Sequence, residues 1–229
     1  MTTQGMAPIA DDLLLLLLDE RSGRFPGNRP LDGMIAGTLL LELARGNRLD
    51  ASEGERRIFV EDATPTGIPA LDATLEAVGE LEGSTLQDAL GALADGRHAE
   101  AVRRLVDAHA VREQKQRRLL GLVSTTTWRL TDHDRVRALH TALEDVLVRG
   151  QEPDDRVATI ICLLFVLELL DRIVDAEDRE AVNHRAVDIV EQVSLTNSLS
   201  QALMSGESLL LSATHSLTPV NVIVSQLRD

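Results

Sequence analysis

The sequence predicts a mainly α-helical protein, with a single globular helical domain over residues 1–229 and a small projecting β-hairpin. Three observations predict this class. Hydrophobic residues make up 44% of the chain, which is enough to build a substantial core. Most of them lie in apolar runs of helical length, separated by turns rich in glycine and proline. One short segment rich in serine and threonine is typical of a hairpin, and no linker or internal repeat divides the chain.

The first two predicted helices are strongly apolar. In residues 9–20, six consecutive leucines would cover every face of a helix, so we expect this helix to be buried almost all round. Asp11 and Asp12 are interpreted as charges at a helix start, where carboxylates oppose the positive end of the dipole, and not as a catalytic pair. Residues 21–30 hold two glycines and two prolines and predict a loop. A second apolar helix is expected over residues 31–44.

The next part of the chain is predicted to contain strands as well as helices. Residues 49–60 indicate two short strands, and residues 62–67 indicate a turn. A helix is expected over residues 68–79, because its leucine and valine side chains recur on one face. A long helix is expected over residues 100–118. The small and β-branched residues of the segment 119–130 then predict the hairpin.

The remainder of the chain is expected to be helical. Helices are predicted over residues 132–148, 153–171 and 179–193, the second of them strongly buried. The tail, residues 194–229, is apolar and rich in serine and threonine, and its pattern leaves helix and strand open. Residues 1–8 are expected to be disordered, as chain termini often are.

Composition and charge exclude several classes of function. Asp and Glu outnumber Lys and Arg by 37 to 23, and the net charge of −14 repels nucleic acids and anionic membranes at long range. A contact with either would need a local basic patch. The aromatic residues are three Phe, one Trp and no Tyr, which leaves few platforms for stacking bases, so we expect no nucleic-acid partner.

The sequence favours a cytoplasmic protein without a membrane-spanning segment. Cys162 is the single cysteine, so an internal disulfide is excluded and a reducing compartment is compatible. The longest apolar stretch, residues 159–170, contains Glu168 and is shorter than the roughly 20 residues that cross a bilayer. The first residues lack the basic start of a signal peptide.

The sequence contains no constellation that predicts catalysis or a metal site. Its six histidines are scattered without the spacing of metal ligands, and Cys162 lies in an apolar run where packing is the expected role. The serines lack a nucleophile-elbow context, and no phosphate-binding glycine loop is followed by Lys and Ser or Thr. We therefore expect no metal, no cofactor and no enzymatic activity. An enzyme with an unrecognised site is the weakest hypothesis.

Several segments, in this order along the chain, resemble a known family. They are an acidic, leucine-rich opening at residues 10–19 and a segment at residues 37–49 that contains Glu-Leu-Ala and Arg-Gly-Asn-Arg-Leu. An Asp-Ala-Thr-Pro-Thr-Gly turn and a Leu-Asp-Ala-Thr-Leu helix follow at residues 62–75. The triplet Val-Arg-Glu at 111–113 is similar to the start of the family's helix that leads to a hairpin. Together they resemble the Golgi phosphoprotein 3 (GPP34) family, in particular its actinobacterial members.

The resemblance implies a mainly helical fold with a projecting hairpin that can mediate self-association into a homo-oligomer. For eukaryotic members it implies a peripheral membrane protein that binds phosphatidylinositol 4-phosphate and the cytosolic tails of glycosyltransferases. The family's lipid site uses a Trp after the first helix, an Arg on the second, and two Arg three apart before the hairpin. In this sequence the positions are Gly27, Ala36, His109 and Arg112. Only Arg112 is retained, with His109 as a pH-dependent substitute.

Other basic residues are candidates to compensate for the missing ones. Arg24 and Arg29 lie in the predicted loop, and Lys115 lies beyond Arg112. The alternative interpretation of all three is solvated surface charge. The family's apolar hairpin tip is expected to be replaced by the polar residues 124–127. Trp128 either packs the hairpin, which is the favoured interpretation, or contacts a membrane.

Two main functional hypotheses follow. The first is a peripheral membrane or adaptor protein on the inner face of the membrane, with a degenerate or altered site for anionic phospholipid headgroups. The second is a cytosolic protein–protein interaction scaffold that has lost lipid binding. The departures at Gly27 and Ala36 and the net charge of −14 favour the second. Both hypotheses imply a protein partner.

Overall fold

The computed structural model describes residues 7–25, 28–52, 57–118, 123–194 and 198–204. Helices dominate these residues, and their strands form two antiparallel pairs, as the predicted fold class requires. The helices are α1 (Ile9–Leu17), α2 (Asn28–Arg45), α3 (Pro69–Glu80), α4 (Leu86–Ala94), α5 (Arg97–Asp107), α6 (His133–Leu147), α7 (Asp155–Val166), α8 (Leu170–Ile173), α9 (Arg179–Ser194) and α10 (Ser198–Met204). The strands are β1 (Leu49–Ala51), β2 (Ile58–Val60), β3 (Val111–Arg118) and β4 (Val123–Leu130).

Helix α1 lies at the centre of the core. It contacts α2, α5, α6 and α7, and no residue from Ile9 to Leu18 is more than 7% exposed. The prediction of a helix buried all round is therefore confirmed. Helix α2 packs beside it and also contacts α3, α4, α5 and α10. One hydrophobic cluster takes in buried side chains from α1 to α10. In the part of the chain that is described, no helix has both the length and the apolar character needed to cross a membrane.

The loop between α1 and α2 is shorter than predicted. A loop was expected over residues 21–30, but α2 begins at Asn28 and Arg29 therefore lies in the first turn of a helix. Pro30 does not prevent this, because the first N–H groups of a helix have no intrahelical partner to lose. The 19–24 loop closes on itself, since the N–H of Asp19 donates to the carbonyl of Arg24 at 3.0 Å.

Both chain ends fall largely outside the described residues. Of the eight N-terminal residues expected to be disordered, residues 1–6 lie outside them, but Pro8 is buried and caps the start of α1. In the tail, residues 198–204 form the helix α10, and residues 205–229 lie outside the described part.

Most of the other predicted elements are present. The strands β1 and β2 pair antiparallel, with Leu49 opposite Val60, and α3, α6 and α9 match their predicted bounds to within one residue. The helix predicted to run to residue 171 instead ends at Val166. Glu168 then adopts a left-handed φ of 54°, which starts a turn before the short α8.

The long helix predicted over residues 100–118 is wrong in its second half. Helix α5 ends at Asp107, and His109 adopts a left-handed φ of 56°. The N–H of Ala110 donates to the carbonyl of Leu105 at 2.8 Å, which closes the helix end. The chain then enters β3 at Val111. The residues of β3 are good helix formers, so pairing with β4 outweighs their local preference.

The hairpin is accordingly longer than predicted, and its polar tip was misplaced. Both strands contain eight residues, in continuous antiparallel register from Val111 opposite Leu130 to Arg118 opposite Val123. Residues 124–127 lie within β4 and not at the tip. The connecting residues 119–122 are outside the described part, and their sequence, Leu-Leu-Gly-Leu, is apolar.

Candidate functional site

The β3–β4 hairpin carries two arginines side by side. Arg112 of β3 lies directly opposite Arg129 of β4 in the register. The adjacent pair, Val111 and Leu130, is buried in the core, so strand alternation turns the two arginines to the other face. Both are exposed, and the Cβ atoms of directly opposite residues are about 5 Å apart. The base of the hairpin therefore presents two neighbouring guanidinium groups.

The 19–24 loop is fixed along the outer edge of β4. Within it, the N–H groups of Arg21 and Ser22 donate to Oδ1 of Asp19 at 2.9 and 3.3 Å. The bonds from Ser22 are the main reason that the pKa of Asp19 is lowered. The carbonyl of Gly23 accepts the N–H of Trp128 at 2.6 Å. A Cβ at Gly23 would lie 2.9 Å from the carbonyl oxygen of Trp128, so this approach requires glycine.

A cleft of about 400 Å³ lies between this loop and the hairpin. Its size is within the range of sites for small ligands. Its lining includes Glu20 and Arg21 from the loop, Gln114 and Arg129 from the hairpin, and His133 at the start of α6. These lining residues supply one carboxylate, from Glu20, and two guanidinium groups, from Arg21 and Arg129. The cleft can therefore favour an anion that offers several oxygen acceptors.

Aromatic packing holds the hairpin against the rest of the protein. The rings of Trp128 and Phe25 have centroids 6.3 Å apart, and Phe25 meets the ring of His98 edge-on at 5.5 Å. Trp128 and Phe25 are both partly buried against the hydrophobic core. The indole of Trp128 therefore has a packing role, which was the favoured interpretation of the sequence.

The other predicted cations are placed less favourably. Arg24 is exposed at the end of the 19–24 loop. Lys115 lies on β3, and its Nζ is 3.3 Å from Oε1 of Glu113, so a neighbouring charge already opposes its own. The side chain of Arg29 and all of Gly27 lie outside the described residues.

The resemblance implies that His109 and Arg112 lie together on one helix, and the structure contradicts this. Two residues three apart on a helix share one face, but His109 lies in a turn and Arg112 in a strand. His109 is exposed, and its carbonyl accepts the hydroxyl of Thr131 at 2.7 Å. Ala36 is fully buried in α2, where an arginine would place a charge in the core. Of the family-site positions, the described residues therefore offer an exposed guanidinium only at Arg112.

Sequence reasoning missed a buried network of carboxylates and arginines. Asp11 and Asp12 are only 4% and 3% exposed. Arg104 of α5 donates from Nη2 and Nε to Oδ1 of Asp11, at 2.6 and 3.2 Å. The Nε atoms of Arg135 on α6 and Arg156 on α7 donate to the two oxygens of Asp12, at 2.8 and 2.7 Å. Two adjacent carboxylates of α1 thus form ion pairs with arginines of three other helices.

A third acid completes this network. Oε2 of Glu42 on α2 accepts the N–H of Ile9, the first residue of α1, at 2.8 Å. Burial raises the pKa of both Glu42 and Asp11, although Arg104 counteracts the effect at Asp11. The predicted role of Asp11 at a helix start is correct in position but incomplete. The sequence did carry a signal, because a helix buried all round must also bury its acids, and buried acids need cationic partners.

The remaining candidate reactive group, the thiol of Cys162, does not line the cleft. Cys162 is fully buried in α7, and burial raises the pKa of its thiol to about 12, which makes it an inert packing residue, as predicted. In the described residues, no three His, Cys, Asp or Glu side chains are grouped so that they could hold a metal ion.

Comparison with known proteins identifies the family of this chain. No curated protein matches the chain. The model of the Golgi phosphoprotein 3 (GPP34) family matches residues 9–205, which covers α1 to α10. The chain therefore belongs to the Golgi phosphoprotein 3 (GPP34) family.

Proposed function

We propose that this chain is a non-enzymatic peripheral membrane or adaptor protein of the cytoplasmic side, which contacts anionic phospholipid headgroups. The contact surface is formed by the base of the β3–β4 hairpin and the 19–24 loop. The observation that carries the proposal is the set of exposed arginines gathered there: Arg21 and Arg24 on the loop, Arg112 and Arg129 on the hairpin. Membership of the family supports the same class of function.

These arginines differ from most others on the described surface. Within the described residues, none of the four forms an ion pair with a carboxylate. Most other described arginines do, and these are Arg45, Arg48, Arg97, Arg104, Arg135, Arg137, Arg149, Arg156, Arg179 and Arg185. In a protein with a net charge of −14, unpaired cations gathered on one surface create the local positive patch that an anionic partner requires.

Packing of the hairpin suits this role. Trp128 holds the strand against Phe25, and Gly23 ties the loop to the same strand, so the arginines stand on a fixed frame. Because the backbone is already fixed, binding a headgroup does not have to order the loop or the hairpin. Self-association through the hairpin is also part of the proposal.

The second candidate is a protein–protein interaction scaffold without lipid binding. Two observations support it. Ala36 is buried at a position where the family has an arginine, and the charge of Lys115, a candidate replacement, is opposed by Glu113. Residues 124–127, which were expected to form a polar hairpin tip, lie within β4. A binding partner captured equally well after loss of Arg112 would favour this candidate.

The proposal is tested by sedimentation of the full chain with vesicles of three compositions. These are phosphatidylcholine alone, phosphatidylcholine with phosphatidylserine, and phosphatidylcholine with phosphatidylinositol 4-phosphate. We expect retention on at least one anionic composition and none on phosphatidylcholine, with binding that weakens as salt is added. Absence of binding to both anionic compositions would contradict the proposal and favour the scaffold.

A further inference from the structure

We propose that an apolar groove between β2 and α3 is the docking site for residues 205–229 of the same chain. The groove has a volume of about 750 Å³ and shares no lining residue with the cleft beside the 19–24 loop. The family model ends at residue 205, so this contact does not follow from membership of the family. It concerns a surface that the proposed function does not use.

The floor of the groove is apolar and open. Val60 of β2 lines it together with Pro69, Ala73 and Gly79, which follow one another along α3. The residues Pro69 and Ala73 are exposed, so a segment that packs on them would cover apolar surface. A Cβ at Gly79 would have no other atom within 4 Å, which leaves room for a bulky side chain at this end of the helix.

The rim of the groove is acidic. Its lining includes the carboxylates of Asp72, Glu76 and Glu82 and no cation. Asp72 already accepts the hydroxyl of Thr66, whereas Glu76 and Glu82 are exposed and form no ion pair within the described residues. An occupant that combines large apolar side chains with a positive charge would therefore complement this groove.

The composition of the 205–229 segment matches these requirements. The segment contains nine leucine, isoleucine and valine residues, and its one Lys or Arg residue, Arg228, directly follows Leu227. Apolar side chains at this density gain stability when they are covered from water. Over the ranges that the structure describes, Val148 is the one large hydrophobic residue that is exposed. The described surface thus offers the segment little apolar contact outside the groove.

The segment also starts close to the groove. Helix α10, after which it begins, contacts β1, and the N–H of Leu199 donates to Oδ1 of Asp50 on that strand at 3.0 Å. Strand β1 pairs with β2, which contributes Val60 to the groove. Neighbouring strands lie about 4.8 Å apart and a chain extends about 3.3 Å per residue, so the segment can reach. A tethered segment also binds at a high effective concentration, which favours it over a separate molecule.

The test measures how fast a cysteine in the groove reacts with a bulky neutral maleimide in the full chain. Ala73→Cys places the thiol on the groove floor, and Thr141→Cys, at an exposed position of α6, is the matched control. The natural Cys162 is fully buried, and burial raises its pKa to about 12, so its modification reports only unfolding. The charge variants, made in both backgrounds, are Arg228→Glu alone and with Glu82→Arg. Glu82 follows the end of α3, where a cation suits the helix dipole.

We expect Ala73→Cys to react about tenfold more slowly than Thr141→Cys, because the rate follows the fraction of molecules in which the groove is open. Arg228→Glu should raise the rate at Ala73→Cys about fivefold, the effect of replacing a surface ion pair by a repulsion. Adding Glu82→Arg should restore the slow rate, although a new cation near the thiol would by itself speed the reaction. None of these rates should change on dilution, since groove and segment belong to one molecule.

Three results would overturn the inference. Equal rates at the two introduced cysteines would show that nothing covers the groove. A rate at Ala73→Cys that does not respond to Arg228→Glu, or that Glu82→Arg does not restore, would show that the segment is not the cover. Protection that declines on dilution would assign the groove to a second copy of the chain.

Discussion

Arg112 and Arg129 form a like-charged pair across the two strands of the hairpin. Each lies opposite the other on exposed strands, and neither has an acidic partner among the described residues. Stability alone would favour a neutral or acidic residue at one of these positions. The repulsion between them is therefore a local cost to stability, which an anion bound as in the proposed function would offset.

This argument predicts that Arg112→Gln stabilises the protein when no anion is present. Removing the repulsion should raise the free energy of unfolding by about 0.5 kcal/mol in phosphate-free buffer of low ionic strength. The gain should shrink as salt is added, because salt screens the repulsion between the two guanidinium groups. Urea unfolding followed by circular dichroism measures both values. Arg103→Gln, at an exposed position of α5, is the control, and an equal gain in that variant would show that only net charge matters.

At the scale of elements, the acids of α1 connect the helices that flank the hairpin. Arg104 lies on α5, which leads into β3, and Arg135 lies on α6, which follows β4. Their bonds to Asp11 and Asp12 thus fix both roots of the hairpin to the same helix. Helix α1 also leads directly into the 19–24 loop. The two sides of the cleft are therefore positioned by one buried network.

Asp12→Asn tests the contribution of this network to stability. The substitution leaves Arg135 and Arg156 facing a neutral amide, and breaking a largely buried ion pair in this way costs about 3 kcal/mol. The matched control is Asp134→Asn, which removes an exposed pair with Arg137 and should cost well under 1 kcal/mol. Equal losses in the two variants, measured by urea unfolding, would show that the network does not stabilise the fold.

The turn of residues 62–67, which Asp72 of α3 holds, should contribute to stability in a way that depends on pH. The carboxylate of Asp72 on α3 accepts the hydroxyl and the N–H of Thr66, both at 2.6 Å, and so holds the turn of residues 62–67. The hydrogen bond from the Thr66 side chain is the main reason that the pKa of Asp72 is lowered below its ordinary value of 3.8. A lowered pKa means that the ionised form is favoured in the folded protein. Its contribution is therefore complete above that ordinary value and is lost as the pH falls through the lowered one.

Asp72→Asn should accordingly destabilise the protein at neutral pH, and the difference from the natural chain should shrink as the pH falls below about 3.8. Urea unfolding midpoints measured from neutral to acid pH test this trend. Glu76→Gln, on the same helix, is the control, because it removes a carboxylate that forms no hydrogen bond with the turn. A difference between Asp72→Asn and the natural chain that stays constant across this range would contradict the assigned role of the carboxylate.

At the scale of the whole molecule, the sequence predicted elements whose signals are local. The leucine run of α1, the apolar face of α3 and the amphipathic pattern of α9 each specify a helix without reference to distant residues. The helix predicted over 100–118 failed because residues 111–118 are good helix formers that pair with a strand beginning at Val123. Pairing with β4 therefore decides that residues 111–118 form a strand, and the segment itself shows no periodic pattern that predicts it.

The candidate site was predicted only in part for the same reason. Arg112 and Arg24 were identified from the resemblance and from their charge, but Arg129 and Arg21 were not. These two meet at the cleft only because the carbonyl of Gly23 binds β4, a contact between residues far apart in the chain. The partners of Asp12 are likewise 123 and 144 residues away, a separation that composition and spacing do not encode.

The net charge of −14 and the arginine surface together define the central claim. An acidic molecule approaches an anionic membrane only if a local patch outweighs the long-range repulsion, which salt screens over about 10 Å at moderate ionic strength. A change of charge within the patch should then matter far more than the same change elsewhere. This difference separates a specific surface from a general effect of net charge.

The most direct measurement compares vesicle binding of Arg112→Glu with that of Arg103→Glu, since both variants change the net charge by the same amount. Sedimentation with vesicles that contain phosphatidylinositol 4-phosphate should show strong loss of binding for Arg112→Glu, at least tenfold, and near-natural binding for Arg103→Glu. Circular dichroism of both variants confirms folding. Unchanged binding of Arg112→Glu, or an equal loss in both variants, would contradict a lipid-binding surface at the hairpin.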